Sequence, residues 1–193
     1  MEGVLTPEIW IAVAEKTGIE GLRLTTRDIP DYDVLMRGRL ELIAKHGLKL
    51  SDLQAVIATL RPLDGAVEFL RDLRRFTQVV ILSDTFEQFA QPLLKQLEWP
   101  TLLCHRLVVE NDRIVDYALR IRDQKKAAVA ALRSLNYFVI AGGDSYNDTA
   151  MLLEADAGFL FRAPENVRRA FPQFRAVETY PELSALIRQA APG

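Results

Sequence analysis

The chain has 193 residues, of which 49% are hydrophobic and 26% charged, and its formal net charge is -2. This composition supports one packed core, with or without a smaller insert, and argues against disorder. Positive and negative residues are interspersed, so nothing indicates a surface for binding nucleic acid. No apolar stretch approaches the length that a membrane span needs. The opening residues carry no secretory signal, and the single cysteine cannot form an internal disulfide. We therefore expect a cytoplasmic protein that binds neither nucleic acid nor membranes.

Three helices are predicted in the first third of the chain. The first should begin after Thr6 as its N-cap and stop at Gly18, and the third should begin after Ser51 as its N-cap. The turn cluster "RPLDGA" at 61–66 marks a boundary. We expect residues 8–61 to form an all-helical cap over the remainder of the chain.

Beyond this boundary, short apolar runs alternate with amphipathic helical patterns. The runs "VVILSD", "YFVIAGGDS" and "AGFLF" are typical of buried strands, and a hairpin is expected around the turn 110–112. Pro92 should kink or break one of the helices. Strands that alternate with helices predict a parallel sheet in an α/β core, which we place at residues 62–193.

Two of the predicted strands end in side chains that can do chemistry. Ser83 and Asp84 follow one strand, and Asp144 follows another after two glycines. Ligands of open parallel sheets bind beyond these carboxyl ends. Asp148, one helical turn further on, should face the same mouth, so that the two later aspartates form a hard-oxygen site suited to Mg²⁺. The alternative is that both only cap the next helix.

Lys125, in "DQKK" before a predicted helix, completes a set that could handle a phosphate. Its charge and the Ser83 hydroxyl can both stabilise phosphoryl oxygens. The alternatives are a solvated lysine at a helix start and a serine that caps a helix. Cys104 and His105 are adjacent but have no second Cys/His pair for a zinc site, so strand residues are the simpler interpretation.

Arg39 lies on a predicted helix among apolar neighbours three and four residues away, namely Leu35, Met36, Leu42 and Ile43. An arginine on an apolar face costs free energy unless it meets an anion. One interpretation is that its head extends to the rim. The other is that its planar fork pairs with a substrate carboxylate.

The stretches "VVILSDTF", "DQKK" and "GGDSYNDTAML" resemble the second, third and fourth motifs of the haloacid dehalogenase superfamily. Within it the chain is most similar to phosphoserine phosphatases, and among these to bacterial enzymes that also transfer phosphate to homoserine. The stretches "PEIWIA", "TTRDIPDYDVLM", "HGLKL", "PTLLCH" and "APENV" extend the resemblance over nearly the whole chain. It implies a magnesium-dependent phosphatase of L-serine biosynthesis, with a helical cap and a small-molecule substrate.

The resemblance also assigns roles to individual residues. It implies that Arg39 binds the substrate carboxylate and that Glu8 faces its amine. The remaining roles fall into three groups: the catalytic residues Glu2, Ser83 and Lys125; the further substrate contacts Asp84 and Asn147; and the Mg²⁺ ligands Asp144 and Asp148.

The first motif of the family is only partly present. The family pattern is Asp-x-Glu at the end of the first core strand, and "EGVL" matches its end, so that Glu2 takes the acid/base position. The nucleophilic aspartate would stand two residues before Glu2, ahead of residue 1. We therefore expect residues 1–7 to be a remnant of this motif and the first core strand to be missing. The alternative is an inactive binding module; a homodimer is compatible with either.

Overall fold

The computed structural model describes residues 1–26, 28–29 and 31–192. The early part of this chain is helical, and we call residues 9–57 the helical segment. Its elements are helix α1 (Ile9–Thr17), a 3₁₀ turn (Glu20–Arg23), helix α2 (Tyr32–Lys45) and helix α3 (Leu50–Ile57). The predicted helices are thus present. The division into a cap at 8–61 and a core at 62–193 stays a prediction.

The predicted start of α1 was wrong. Thr6 is not its N-cap, because the helix begins at Ile9 with Glu8 in the N-cap position. The Ile9 amide instead donates to the carboxylate of Glu2 at 3.0 Å, so the cap comes from seven residues upstream. The predicted stop is confirmed, since Gly18 ends the helix in the left-handed region with φ of 71°.

The predicted start of α3 was also wrong. Ser51 lies inside the helix, which begins at Leu50, and its hydroxyl donates at 2.6 Å to Asp112, which lies in the turn between β2 and β3. Pro92 does not break its helix, which runs as α5 from Glu87 to Gln96.

The rest of the chain alternates strands with helices, as predicted. In order, the elements are α4 (Ala66–Leu73), β1 (Val80–Phe86), α5 (Glu87–Gln96), β2 (Thr101–Glu110), β3 (Arg113–Ala118), α6 (Gln124–Ser134), β4 (Ile140–Gly143), a 3₁₀ turn (Tyr146–Asp148), α7 (Thr149–Glu154), β5 (Ala157–Phe161), α8 (Glu165–Ala170), β6 (Arg175–Val177) and α9 (Tyr180–Ala190). No helix in the described ranges is long and apolar enough to cross a bilayer.

The six strands of the described residues form two three-stranded sheets. In the first, β1 pairs with β2 in parallel and β2 pairs with β3 as the predicted hairpin. In the second, β4, β5 and β6 are parallel neighbours in that order. Within the described ranges, β1 and β4 each pair on one side only. The expected first core strand would stand between them, and this placement stays a prediction.

The helical segment shares one apolar cluster with the strands and helix next to it. Buried side chains of the segment, among them Ile9, Met36 and Leu53, pack with others from β1, α5 and the hairpin. Those others are Phe86, Phe89, Leu93, Leu107 and Ile114. A second cluster unites α4, α9 and β5, and a third lies between α6, α7 and β5. The helical segment therefore packs against the rest of the protein through a hydrophobic core to which both contribute.

Candidate active site

A pocket of about 140 Å³ opens where β1 and β4 end and the helical segment begins. This volume is below the roughly 300–1,000 Å³ of sites for drug-sized ligands, so it suits a small metabolite. All the site residues predicted from the sequence line this pocket: Glu2, Glu8, Arg39, Ser83, Asp84, Lys125, Asp144, Asn147 and Asp148. The fold thus brings together side chains that are up to 146 residues apart in the sequence, from Glu2 to Asp148.

Lys125 lies in the first turn of α6 and is only 8% exposed. Its ammonium is 2.9 Å from a carboxylate oxygen of Asp84 and 2.9 Å from one of Asp148. Burial opposes the charged form, but the charges of Asp148 and Asp84 outweigh it and raise the pKa of Lys125. The solvated-lysine alternative is therefore excluded, and this site holds a fixed positive charge at neutral pH.

The Asp84 carboxylate receives several donors besides Lys125. The side-chain amides of Asn147 and Gln124 donate to it at 3.1 and 3.3 Å, and the His105 ring lies 3.7 Å away. Burial acts to raise the pKa of Asp84, but contacts with His105 and with Lys125 outweigh it and lower that pKa. Asp84 is consequently an anion that orders the groups around it.

Ser83 is a buried residue of β1, one position before Asp84. Its hydroxyl oxygen lies 3.3 Å from the amide of Thr85. Because α5 begins only at Glu87, Ser83 is not a helix cap, and that alternative is excluded.

Asp148 is both a cap and a charge partner. One of its oxygens accepts from the Asp144 amide at 2.9 Å and from the Ser145 amide at 3.3 Å, and the other meets Lys125. Asp148 thus caps the 3₁₀ turn (Tyr146–Asp148) and makes no side-chain cap hydrogen bond to α7, so the alternative that it only caps the next helix does not describe it. Gly143 precedes this turn, where a Cβ would lie 2.4 Å from the Cβ of Asp148.

Asp144 lies against the backbone of Gly3. That glycine has φ of +75°, and a Cβ there would lie 2.4 Å from a carboxylate oxygen of Asp144, so only glycine fits. Burial, and then the nearby charge of Asp148, raise the pKa of Asp144 to about 6. Among the described residues this carboxylate makes no ion pair, unlike those of Asp84 and Asp148.

The carboxylates at this strand end are hard oxygen donors of the kind that Mg²⁺ prefers. In the described part of the chain, no group of three or more His, Cys, Asp or Glu side chains is arranged to hold a metal. A Mg²⁺ site does not require three protein ligands, because this ion is commonly bound by one or two carboxylates together with waters and substrate phosphate. Asp144 fits as a direct ligand, and Asp148 adds negative charge beside it. The donor set is therefore compatible with Mg²⁺.

Arg39 lies within the pocket wall and is 7% exposed. Its guanidinium stacks 4.5 Å from the ring centre of Trp10, and one terminal nitrogen donates to the Leu24 carbonyl at 2.6 Å. Its Nε is buried without a hydrogen-bond partner in the described residues. Burial lowers the pKa of Arg39 to about 10, which still leaves it charged at neutral pH. The interpretation in which its head extends to the rim is excluded.

The two predicted glutamates stand near the start of α1. Glu2 uses one carboxylate oxygen to cap Ile9, and Glu8 is the N-cap residue by position. Both line the pocket on the side of the helical segment.

Sequence reasoning missed several residues that shape the pocket. Trp10 supplies the surface on which Arg39 stacks, and the Tyr32 hydroxyl donates to the Asp84 carbonyl at 3.1 Å. Gln124 donates to the Ser83 carbonyl at 2.6 Å. Aromatic residues at helical spacing usually indicate core, so no sequence pattern distinguishes Trp10 and Tyr32 as residues of the site. Gln124 directly precedes Lys125 and could have been considered with it.

Comparison with known proteins agrees with this geometry. The family described as haloacid dehalogenase-like hydrolase matches residues 6–153. A phosphoserine phosphatase of Pseudomonas syringae pv. tomato is 67% identical over 184 residues, which cover 95% of this chain and 78% of that protein. The phosphoserine phosphatase ThrH of Pseudomonas aeruginosa is 65% identical over 184 residues, or 95% and 90% of the two chains.

Solved structures agree on the fold. A phosphoserine phosphatase in apo form matches with a TM-score of 0.74 at 18% identity, over 93% of this chain and 90% of that one. A phosphoserine phosphatase from T. onnurineus matches with a TM-score of 0.71 at 23% identity, over 96% and 90%. At these identities the likeness concerns the fold alone. Together with the family match, these findings confirm the predicted fold class, and the chain belongs to the haloacid dehalogenase-like hydrolase family.

Proposed function

We propose that this protein hydrolyses phosphoserine in a magnesium-dependent reaction that serves L-serine biosynthesis. The observation that carries the proposal is that two buried cations, Lys125 and Arg39, line one small pocket. A small molecule with a phosphate and a carboxylate fits such a pair. The two highly identical relatives, both named phosphoserine phosphatases, support the same substrate.

The phosphate would bind at the ends of β1 and β4. Lys125 offers a charge that is held in place by two carboxylates, and the Ser83 hydroxyl can donate to a phosphoryl oxygen. Asn147, which donates to Asp84, lines the same pocket. Asp144 would hold Mg²⁺, which, when bound, neutralises charge on the phosphoryl oxygens.

The amino acid part would face the helical segment. Arg39 is pre-positioned by Trp10 and Leu24, so that little side-chain entropy is lost when it meets a carboxylate. Glu8 lines the same pocket and is the proposed partner of the substrate amine. A phosphate ester without a carboxylate would lack the first of these contacts.

The proposed chemistry is that of an aspartyl-phosphate, with the aspartate two residues before Glu2. Glu2 would then protonate the leaving alcohol and activate the water that follows. Its second carboxylate oxygen makes no hydrogen bond in the described ranges, which leaves it available for this work. Phosphoryl transfer to homoserine would need only that an alcohol, in place of water, reaches the same intermediate.

A binding module without turnover is the second candidate. It is favoured by the commitment of Asp84 and Asp148 to Lys125, which leaves neither of them as a nucleophile. The chain as given would then bind phosphoserine without cleaving it. A cytoplasmic location belongs to both proposals and is supported by composition, including the single Cys104. A homodimer is compatible with both.

The test compares two purified proteins, the 193-residue chain and a version extended by a strand that places Asp two residues before Glu2. We expect the first to bind phosphoserine without turnover, and the second to hydrolyse it with Mg²⁺ and to melt at a higher temperature. The matched control carries Asn at the added Asp. Equal activity and stability of the short form would refute the placement of Glu2, and an inactive long form that still binds would favour the binding module. Product analysis with and without homoserine measures the transfer reaction.

A further inference from the structure

His105 is a buried titratable residue that the proposed chemistry does not use. It lies on β2, is 4% exposed and is not part of the pocket wall. Its ring nevertheless points at the site, since Nε2 is 3.7 Å from a carboxylate oxygen of Asp84 and 3.2 Å from the side-chain nitrogen of Gln124. The sequence alone had suggested a plain strand residue.

The neighbours of the ring determine which nitrogen carries the proton. The backbone amide of Arg120 donates to Nδ1 at 3.3 Å, which assigns the ring proton to Nε2. With this assignment Nε2 and the Gln124 nitrogen, 3.2 Å apart, are both donors and make no hydrogen bond to each other. On the other side, Gln124 must present its amide nitrogen, because that atom donates to the Ser83 carbonyl at 2.6 Å. Both groups are directed at the same oxygen of Asp84. The Gln124 amide donates to it at 3.3 Å, and the ring N–H faces it from 3.7 Å, which is an electrostatic contact longer than a hydrogen bond.

We propose that His105 is a positioning residue for the phosphate site. It supports the Asp84 carboxylate from outside the pocket wall, so that the other carboxylate oxygen holds Lys125 at the mouth. On the side of the helical segment, the Tyr32 hydroxyl donates to the backbone carbonyl of Asp84. The backbone of Asp84 is therefore held independently, and His105 acts only on its carboxylate. The inference rests on the proposed function only in treating Lys125 as a phosphate contact.

The physical argument is that Lys125 is shared between two carboxylates at equal distances of 2.9 Å. If the ring N–H is lost, Gln124 at 3.3 Å is the remaining donor to that oxygen among the described residues, so the carboxylate can rotate and Lys125 moves toward Asp148. Lys125 would then offer less of its charge to a phosphate. The ring also packs with Tyr32 and Phe86, whose ring centres lie 6.3 and 6.5 Å from its own, so a variant that keeps an aromatic ring is needed to hold this packing constant.

Three variants of the 193-residue chain separate positioning from packing. His105→Gln can place its amide nitrogen near the Nε2 position and so keep a donor toward Asp84. His105→Asn reaches only the Nδ1 position, and His105→Phe keeps a ring without any donor. His46, the second of the two histidines and an exposed one, gives the matched control His46→Gln.

Calorimetric titration measures the affinity for phosphoserine and, separately, for inorganic phosphate. We expect His105→Gln and His46→Gln to bind within about threefold of the parent chain. His105→Asn and His105→Phe should bind both ligands about tenfold more weakly, which corresponds to about 1.4 kcal/mol. Equal affinity of all four variants, or a loss in His105→Gln as large as in His105→Phe, would overturn the positioning role.

Nitrogen-15 NMR of the imidazoles decides the inference even if the proposed function fails. With only two histidines, His46→Gln assigns the spectrum. The Nε2–H tautomer at His105, with a shift that responds to Asp84→Asn, supports the proposal. The Nδ1–H tautomer, or no response to Asp84→Asn, overturns it. A parent chain that binds neither phosphoserine nor phosphate would refute the proposed function, and the NMR result alone would then decide the role of His105.

Discussion

Replacing Arg39 by alanine tests how the pocket recognises its substrate. The guanidinium is buried, rests on Trp10 and is held by the Leu24 carbonyl, yet no carboxylate lies within ion-pair distance of it in the described ranges. A buried cation without an anionic partner is poised to bind an anion from solution. We expect Arg39→Ala to weaken phosphoserine binding specifically through the carboxylate.

The magnitude follows from the kind of contact that is lost. A hydrogen bond to a charged group contributes about 1.5–3 kcal/mol, and about 1.4 kcal/mol corresponds to a factor of ten in the dissociation constant. We therefore expect phosphoserine to bind between about 10-fold and 100-fold more weakly. Phosphoethanolamine keeps the phosphate and the amine but has no carboxylate, so its affinity should change by less than about threefold.

The assay is calorimetric titration of both ligands with the parent chain and with Arg39→Ala. Arg37→Ala is the matched control, because Arg37 is on the same helix but half-exposed, and pairs with Asp116 at 2.7 Å. We expect this control to bind both ligands like the parent chain. Thermal melts check that the fold is retained. Equal losses for the two ligands in Arg39→Ala would refute the carboxylate contact and indicate a packing role.

Three other changes test the charges at the strand ends. Asp144→Asn replaces an anionic ligand by a nearly isosteric neutral side chain. Calorimetry should therefore show a loss of Mg²⁺ affinity, while the melting temperature is largely kept. Unchanged Mg²⁺ affinity would make Asp144 a structural residue. Lys125→Met leaves two carboxylates without their cation, at a cost of about 3–5 kcal/mol, or about 6–20 °C in melting temperature, whereas the exposed neighbour Lys126→Met should change little. Although burial opposes it, contacts with His105 and Lys125 lower the pKa of Asp84, so this carboxylate stabilises the fold above its unfolded-state pKa of about 4, and that contribution is lost as the pH falls through its folded-state pKa. Asp84→Asn should therefore unfold with a shallower dependence on acid than the parent chain, and identical acid profiles would contradict this.

The strand ends of the site could be predicted from the sequence for a simple reason. A polar side chain directly after a buried apolar strand, as at Asp84 and Asp144, is expected at the carboxyl end of that strand. The carboxyl ends of parallel strands lie at the same edge of the sheet. Arg39 was detectable because a charge among apolar neighbours needs a partner. Lys125 became convincing only together with these residues, since a lysine at a helix start has no distinctive pattern of its own.

Contacts between distant parts of the chain could not be predicted in this way. Local preference suggested Thr6 as the cap of α1, but Glu2 caps the helix because the chain folds back on itself before Ile9. Likewise, Ser51 donates to Asp112 in the hairpin turn, 61 residues further along the chain, instead of capping its own helix. The short elements α8 and β6 were missed because six and three residues carry too little periodicity to be recognised.

The apolar cluster that the helical segment shares with its neighbours limits how this protein can be redesigned. Phe86, Phe89 and Leu107 form a surface that is complementary to these particular helices, so helices grafted from a relative would meet a surface shaped for others. A chimaera would have to carry replacements at those positions as well, or lose stability. Altering which substrate is accepted is therefore better attempted by point changes on the pocket-facing side of α1 and α2, where the shared packing stays untouched.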